Sequence, residues 1–459
     1  MRKKTVKIVS VFYILLLLFS GCKENNIPVS KSEEKIKSIL DNNEIKDKNN
    51  ADTNKENDHL KVLCNNNIVL AVNELIDFYC EENEISKEIF DIKILNDDTV
   101  GDEEYFDMIF NDISNIYMLT DDSNSDVMTS SEIGFTDSDL SVLYSGVLDA
   151  GRNSEGNIKA FPVIIQPVVF CYRDDIAADF FDYNEKDMQE AVENWNNFRY
   201  TATDIFDKTD NDIKICTLNE IKDNYTYPSH LSFLENNKLV IDDKVIEGYE
   251  YIKEFFTQNY ASEYEVCSDE WKAALKNDEI FGFFADFYDE KADRLNEVMN
   301  DEYIRWNQSW KCVKGPDCMI KKGVWVSVGR ESLNNDKAKE FISFYTQNDE
   351  KIKKYALSNR RYMSNSKVMK NIIENEEYTG VKWIVSQSEH LIIDDVASSF
   401  EAQPDKTAYD NNLINNYRES LDLYINSEYS ITEDALDGFI MMSENYLNEN
   451  GVSVELITE

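Results

Sequence analysis

The stretch LKVLCNNNIVLAVNELIDFYCEENEISKEIFDIKI, residues 60–94, decides the class of fold. Leu60 to Cys64 is a short apolar run closed by the turn residues Asn65–Asn67, the pattern of a buried strand. From Ile68 to Glu81 the apolar positions Val69, Val72, Leu75, Ile76 and Tyr79 recur at helical spacing. Phe90 to Ile94 then alternates apolar and charged residues, as a half-buried strand does. Strand, helix and strand in so short a span form a βαβ unit, which calls for parallel pairing with a right-handed crossover.

The alternation continues toward the C-terminus. The pattern predicts helices over 103–113, 186–205, 245–259, 269–276 and 335–346, and a largely helical end from 408 to 449. It predicts strands over 126–128, 213–217 and 279–284. No repeat of fixed period is present, and the class is α/β. In open α/β sheets ligands bind beyond the carboxyl ends of the strands. That rule directs attention to Asn65–Asn67, the turn near Thr129–Ser131 and Ala285–Tyr288.

Residues 1–22 speak to location. Arg2, Lys3, Lys4 and Lys7 precede an apolar run from Ile8 to Phe19, too short to span a bilayer but of the length of a signal-peptide core. The run ends in Phe19-Ser20-Gly21-Cys22, which resembles the lipobox of bacterial lipoproteins, with Phe19 where Leu is usual. Residues 1–21 are thus expected to be a lipoprotein signal peptide and Cys22 the lipidated residue; a plain secretory signal is the alternative. Two or three acyl chains hold a protein stably at a membrane. Residues 22–58, rich in Ser, Lys, Glu, Asn and Asp, cannot bury enough apolar surface to offset chain entropy and are read as a flexible stalk.

Composition excludes several functions. The chain has 459 residues, length for two or three domains, and a formal charge of −42. So acidic a surface argues against nucleic-acid binding, which depends on clustered Lys and Arg. Only His59, His230 and His390 are present, so a His-rich metal site is not expected. Seven cysteines follow Cys22, an odd number without a CxxC pair, and most sit among apolar neighbours as small buried hydrophobes do. Cys312 and Cys318 could close a short loop. The chain carries no GxSxG, GxxxxGK[ST], HExxH or GxGxxG motif. Two acidic runs, from Asp122 and from Asp207, lack the Gly and Glu of a calcium loop and are read as solvated loops. No cofactor, no metal and no enzymatic activity are expected.

Aromatic residues are the remaining signal. Phe281, Phe283, Phe284, Phe287 and Tyr288 crowd one strand and its loop, with Trp306, Trp310 and Trp325 just beyond. Rings past a strand end can stack on the C–H faces of a sugar; those on the strand itself are expected in the core.

Four segments, in order, carry a resemblance to a known family. GNIKAFPVIIQPVVFCYRDDIA (156–177), EIFGFFADFYD (279–289), the run from Ser309 to Ala356 and SITEDALDGF (430–439) resemble segments of extracellular solute-binding proteins of ABC importers, of the sugar- and oligosaccharide-binding, maltose-binding-protein-like type. The resemblance spans about 60–450 and implies a two-lobed, periplasmic-binding-protein-like fold (type II), with a ligand cleft between lobes joined by crossing segments. Lobe 1 would be 60–165 plus 310–357, and lobe 2 166–309 plus 358–459. The chain would cross near Pro162–Pro167, return near Trp310 and cross again after Ala356, the two prolines marking where strand pairing ends.

By position in that pattern, Gln166 matches a polar ligand-contacting residue, Phe287 the stacking aromatic, and the turn bearing Asn65 and Asn66 the first contacting loop. Asp286, Tyr288 and Trp325 complete the implied ligand-binding set. Trp195 is expected to be structural, and Lys351 and Lys353 to be solubilising charges. The implied function is capture of a small solute, a carbohydrate, by a monomeric lipid-anchored protein on the extracellular face, for delivery to ABC permease subunits. The alternative on the same fold is a sensory ligand-binding lipoprotein signalling to a membrane receptor. A surface glycoside hydrolase is a remote alternative without a motif to support it.

Overall fold

The computed structural model describes residues 59–95, 105–120, 126–226, 233–235, 238–288, 292–378, 380–384, 387–403, 407–452 and 455–458. The signal segment, Cys22, the stalk and most of the acidic run at Asp122 lie outside them. Among the described residues no helix is long and apolar enough to cross a membrane.

The opening unit forms as its pattern predicts. β1 (Leu60–Asn65) pairs in parallel with β2 (Phe90–Leu95), and helix Val69–Asn83 joins them. Asn65 starts the helical run by accepting the N–H of Asn67 at 2.9 Å, and Glu84 ends it in the left-handed region at φ 55°. β1 also pairs in parallel with β3 (Met108–Asn111), the segment read as helix 103–113. Met-Ile-Phe-Asn is buried on both faces between β1 and the strand Met319–Val328, so sheet pairing overrides the local pattern.

β4 (Phe161–Arg173) is buried at every position. β5 (Leu234–Glu235), β6 (Lys238–Ile241) and β10 (Glu455–Thr458) make a separate three-stranded sheet. β7 (Gly282–Ala285), β8 (Trp310–Val313) and β9 (Met319–Val328) join the main sheet, whose order is β2-β1-β3-β9-β4-β7 with β8 also on β4. The N-terminal part of β4 pairs with β9, and its last residues pair with β7 on one side and β8 on the other. Two long antiparallel strands, β4 and β9, therefore carry the sheet from one half to the other. A third segment runs beside them: Tyr362 accepts the N–H of Ile165, and Ser364 donates to Val163.

Several expectations are corrected here. Pro162 and Pro167 lie inside β4 rather than at its ends, and the register shifts at both, between Pro162 and Ile164 and between Gln166 and Pro167. A residue without an N–H cannot continue a ladder, so the strand slips past each proline. Trp310–Val313 pairs with Phe170–Arg173 at the end of β4. The helix expected over 186–205 is two, Glu185–Ala191 and Trp195–Lys208. They part at Asn194, whose extended backbone lets its side chain cap the second helix through the N–H of Asn197. The segments 213–217 and 126–128 make single bridges instead of ladders.

The core of the second half is aromatic. Trp195 packs edge-on to Phe198, Tyr225 and Tyr251, and its carbonyl accepts from the Tyr251 hydroxyl at 2.7 Å. Phe281, just before β7, and Phe283 on it are buried, and Phe283 lies against Trp271, Trp310 and Trp383. Burying such a side chain contributes about 1.5–3 kcal/mol.

β9 can follow β4 closely because of Gly323, at φ 156°. A Cβ there would stand 2.4 Å from the Ile164 carbonyl oxygen and 2.7 Å from the Trp325 ring. Gly323→Ala is expected to lower stability by about 1–3 kcal/mol in urea unfolding; an unchanged midpoint would show that the two strands can part without cost.

Candidate functional site

The junction of the two halves is built around one backbone carbonyl. Tyr288, just past β7, offers its carbonyl to Arg361 Nη1 at 2.8 Å and to Gln166 Nε2 at 3.5 Å. Arg361 also donates from Nη2 and Nε to Glu74 Oε2, at 2.7 and 3.2 Å, and so ties helix Val69–Asn83 to the loop after β7. Its own carbonyl accepts from the Tyr378 hydroxyl at 2.7 Å. The Tyr288 ring is buried against Tyr362 and Tyr378, with its hydroxyl 3.0 Å from His390 Nδ1. Burial, and then the charge of Arg360, pulls His390 down to about 4, so the imidazole is neutral at ordinary pH. Tyr362 and Tyr144 share Asp394 Oδ1, which closes the network around the third crossing segment.

Beside this junction lies a cavity of about 370 Å³ lined by Thr217, Asn219, Glu220, Lys222, Asp223, Glu265, Val266, Arg418 and Asp422. Helix Leu218–Tyr225 opens it with a capping box: Thr217 accepts from the N–H of Glu220, and the Glu220 carboxylate accepts from the N–H and hydroxyl of Thr217. The other Glu220 oxygen accepts the N–H of Phe284 at 2.7 Å, which fastens β7 to the cavity wall. Burial pushes this carboxyl up to about 7, against the hydrogen bonds that favour its charge. Lys222 pairs with Asp422 at 2.8 Å, and Arg418 with Asp223 at 3.7 Å. The crossing strand reaches the same place. The Lys321 ammonium, pulled down to about 8 chiefly by loss of water, feels the charges of Asp223, Arg418, Glu220 and Asp286. Carboxylate and amide acceptors thus alternate with ammonium, guanidinium and hydroxyl donors, a wall able to satisfy a small polyhydroxyl solute.

The structure brings some of the sequence-derived residues together. Gln166, buried on β4, has no hydrogen-bond partner for Oε1 among the described residues. Asp286 Oδ1 accepts the N–H of Tyr288 at 3.0 Å, so Gln166, Asp286 and Tyr288 form one group. Phe287 is buried, and its ring lies edge-on to Trp383 with centroids 5.6 Å apart. Trp325 is buried in β9 between the registers of Asn111 and Pro162. Asn65 is buried as a cap, whereas Asn66 is exposed at the end of β1. Lys351 and Lys353 pair with Glu82 and Glu377. Among the described residues no group of His, Cys, Asp and Glu could hold a metal.

The cavity residues escape a reading by sequence, although Thr217-Leu-Asn-Glu220 is a legible capping box at a strand-to-helix turn. Arg418 and Asp422 reach the wall from a helix almost two hundred residues away, Asp410–Ile425, with no local mark.

No family model matches the sequence, and no curated protein does. Solved structures do match in fold. An extracellular solute-binding protein of family 1 superposes with a TM-score of 0.67 at 13% identity, over 84% of this chain and 99% of that one. A binding protein associated with an ABC transporter of B. animalis subsp. lactis, in complex with β-1,6-galactobiose, gives 0.56 at 12% identity, over 87% and 99%. An ABC substrate-binding protein of Listeria monocytogenes, in complex with cycloalternan, gives 0.53 at 12% identity, over 86% and 99%.

Two expected outcomes follow from the junction and the cavity wall. Arg361→Ala removes the guanidinium from Glu74 and one of the two donors from the Tyr288 carbonyl and should cost about 2 kcal/mol in urea unfolding, less than a wholly buried pair because Glu74 is partly wet. Glu220 has a folded pKa above its ordinary 4.5, so its protonation favours the folded state. That contribution is full below about pH 4.5 and is lost as pH rises to about 7. Glu220→Gln should flatten this part of the stability–pH curve; an unaltered curve would show that Glu220 does not carry it. The chain has the fold of the extracellular solute-binding proteins.

Proposed function

We propose that this protein is a lipid-anchored extracellular solute-binding protein that captures a small carbohydrate and hands it to the permease subunits of an ABC importer. The observation that carries the reading is the fold likeness along most of the chain to binding proteins, two of them in complex with saccharides. The cavity beside the crossing strands supports it, because its mixed donors and acceptors suit sugar hydroxyls. Gln166, with a buried Oε1 unpartnered among the described residues, and Asp286 are proposed as further contacts from the junction.

In this reading two lobes, 60–165 with 319–357 and 166–318 with 358–459, move about β4, β9 and the segment near Tyr362. The pairing of β8 with β4 supports assigning residues 310–318 to the second lobe. A solute touching both lobes favours the closed form by its difference in affinity for the two states. Opening would break or slide the Arg361 bridge to Glu74, which joins the second lobe to the first. Cys22, diacylated after removal of residues 1–21, would hold the protein at the membrane through the stalk as a monomer.

A thermal-shift screen of sugars, oligosaccharides, amino acids, peptides and polyamines tests this. Binding stabilises the folded state by about 2.7 kcal/mol at a hundredfold excess over Kd. The expected result is a shift with one saccharide series that Asn219→Ala and Asp223→Ala reduce. A shift with another solute class would retain the binding role and replace the ligand; no shift with any solute would overturn the reading.

A further inference from the structure

Cys171 on β4 and Cys312 on β8 stand directly opposite each other in the antiparallel ladder. Facing residues of such a pair project to the same side of the sheet. Both side chains are fully buried, and both are free thiols in the structure.

The backbone directions decide how closely two such residues approach. Arg173 gives its N–H to the Phe281 carbonyl, on the β7 side, and Asp174 gives its N–H to Ser309, on the β8 side. Backbone groups alternate in direction along a strand, so Cys171 shares the orientation of Arg173 and bonds toward β7, where it faces Phe283. Cys312 turns its backbone the other way. Its N–H donates to Gln387 Oε1 at 2.8 Å, and its carbonyl accepts from Gln387 Nε2 at 2.8 Å. Neither cysteine gives a backbone hydrogen bond to the other. They are therefore a non-hydrogen-bonded pair, in which the Cα atoms lie about 4.5 Å apart. That spacing falls within the range of roughly 4.4–6.8 Å that a disulfide spans.

We propose that Cys171 and Cys312 are the site of a cross-strand disulfide, formed as the exported chain folds in the presence of a disulfide oxidant. One thiolate attacks the oxidant's disulfide, forms a mixed disulfide and releases one thiol. The second thiolate attacks the protein sulfur of that mixed disulfide and releases the other thiol. The two cysteines lose two protons and two electrons, and the oxidant's disulfide becomes two thiols. This rests on the export of the chain in the proposed function, which places folding outside the reducing cytosol.

The exchange belongs to the folding chain rather than to the finished fold. Burial raises both thiols well above their ordinary range, and the Gln387 amide covers the outer edge of β8. Once β8 docks, the same burial shields the bond from reductants. The bond ties an edge strand to the end of β4, where the sheet of the second half is anchored. Cys318, half-buried before β9, is the competing partner for Cys312.

Peptide mapping tests the site. The full chain, unfolded and reduced, is refolded in a mixture of glutathione and glutathione disulfide, alkylated, and digested without reductant. The expected product is a linked pair of peptides bearing Cys171 and Cys312, with two fewer alkylated cysteines and a melting temperature that falls when the bond is reduced. Cys312→Ser should abolish the linked pair and Cys267→Ser should leave it. Should Cys312→Ser not fold, the map of the unsubstituted chain decides alone. A full complement of free thiols after refolding, or a bond from Cys312 to Cys318, would overturn the proposal.

Discussion

β4 is thirteen residues long and buried along its whole length, and the rest of the molecule is arranged around it. A strand with both faces and both edges covered has no freedom to tilt independently of its neighbours. β9 follows it, the Tyr362–Ser364 segment bonds to it, and β7 and β8 flank its end. The two prolines within it interrupt the ladder at fixed points. The strand therefore changes register at positions set by covalent structure and not by packing.

The polar chemistry gathers where these strands pass from one half to the other. The Tyr288 carbonyl takes donors from Gln166 and Arg361, which belong to two different crossing segments. Glu220 likewise serves two elements, since one carboxylate caps a helix and receives an N–H of β7. Both arrangements put a charged or amide group in a low-dielectric setting, where satisfied hydrogen bonds are strong and a lost partner is costly. The cavity wall thus rests on residues already engaged in holding the sheet, and this keeps its donors and acceptors in place.

Much of this was legible in the chain. Alternation of period two and of helical period identified β1, β2 and their joining helix, and the helix Asn335–Thr346 to the residue. The ordered segments from Gly156 onward pointed to the solute-binding fold that the solved structures share. Met108–Asn111 read as helix because an apolar run between charged neighbours suits either element, and only the vacancy between β1 and β9 decides for strand. The split at Asn194 was locally encoded, but a cap residue inside a helical pattern carries no weight until the chain turns there. Of the residues singled out by the resemblance, Gln166, Asp286 and Tyr288 stand together, whereas Phe287 packs against Trp383.

The amino-acid sequence by itself determined the class of fold, the alternation of its elements and the acidic character, because these depend on periodicity and composition along a short window. Tertiary structure alone decided that Arg361 reaches Glu74, that Arg418 and Asp422 line a wall with Asn219, and that Cys171 faces Cys312. Those pairs are separated by more than a hundred residues, and no local pattern records a partner that far away. Strand order and register bring them together, and these are fixed by the packing of the whole sheet.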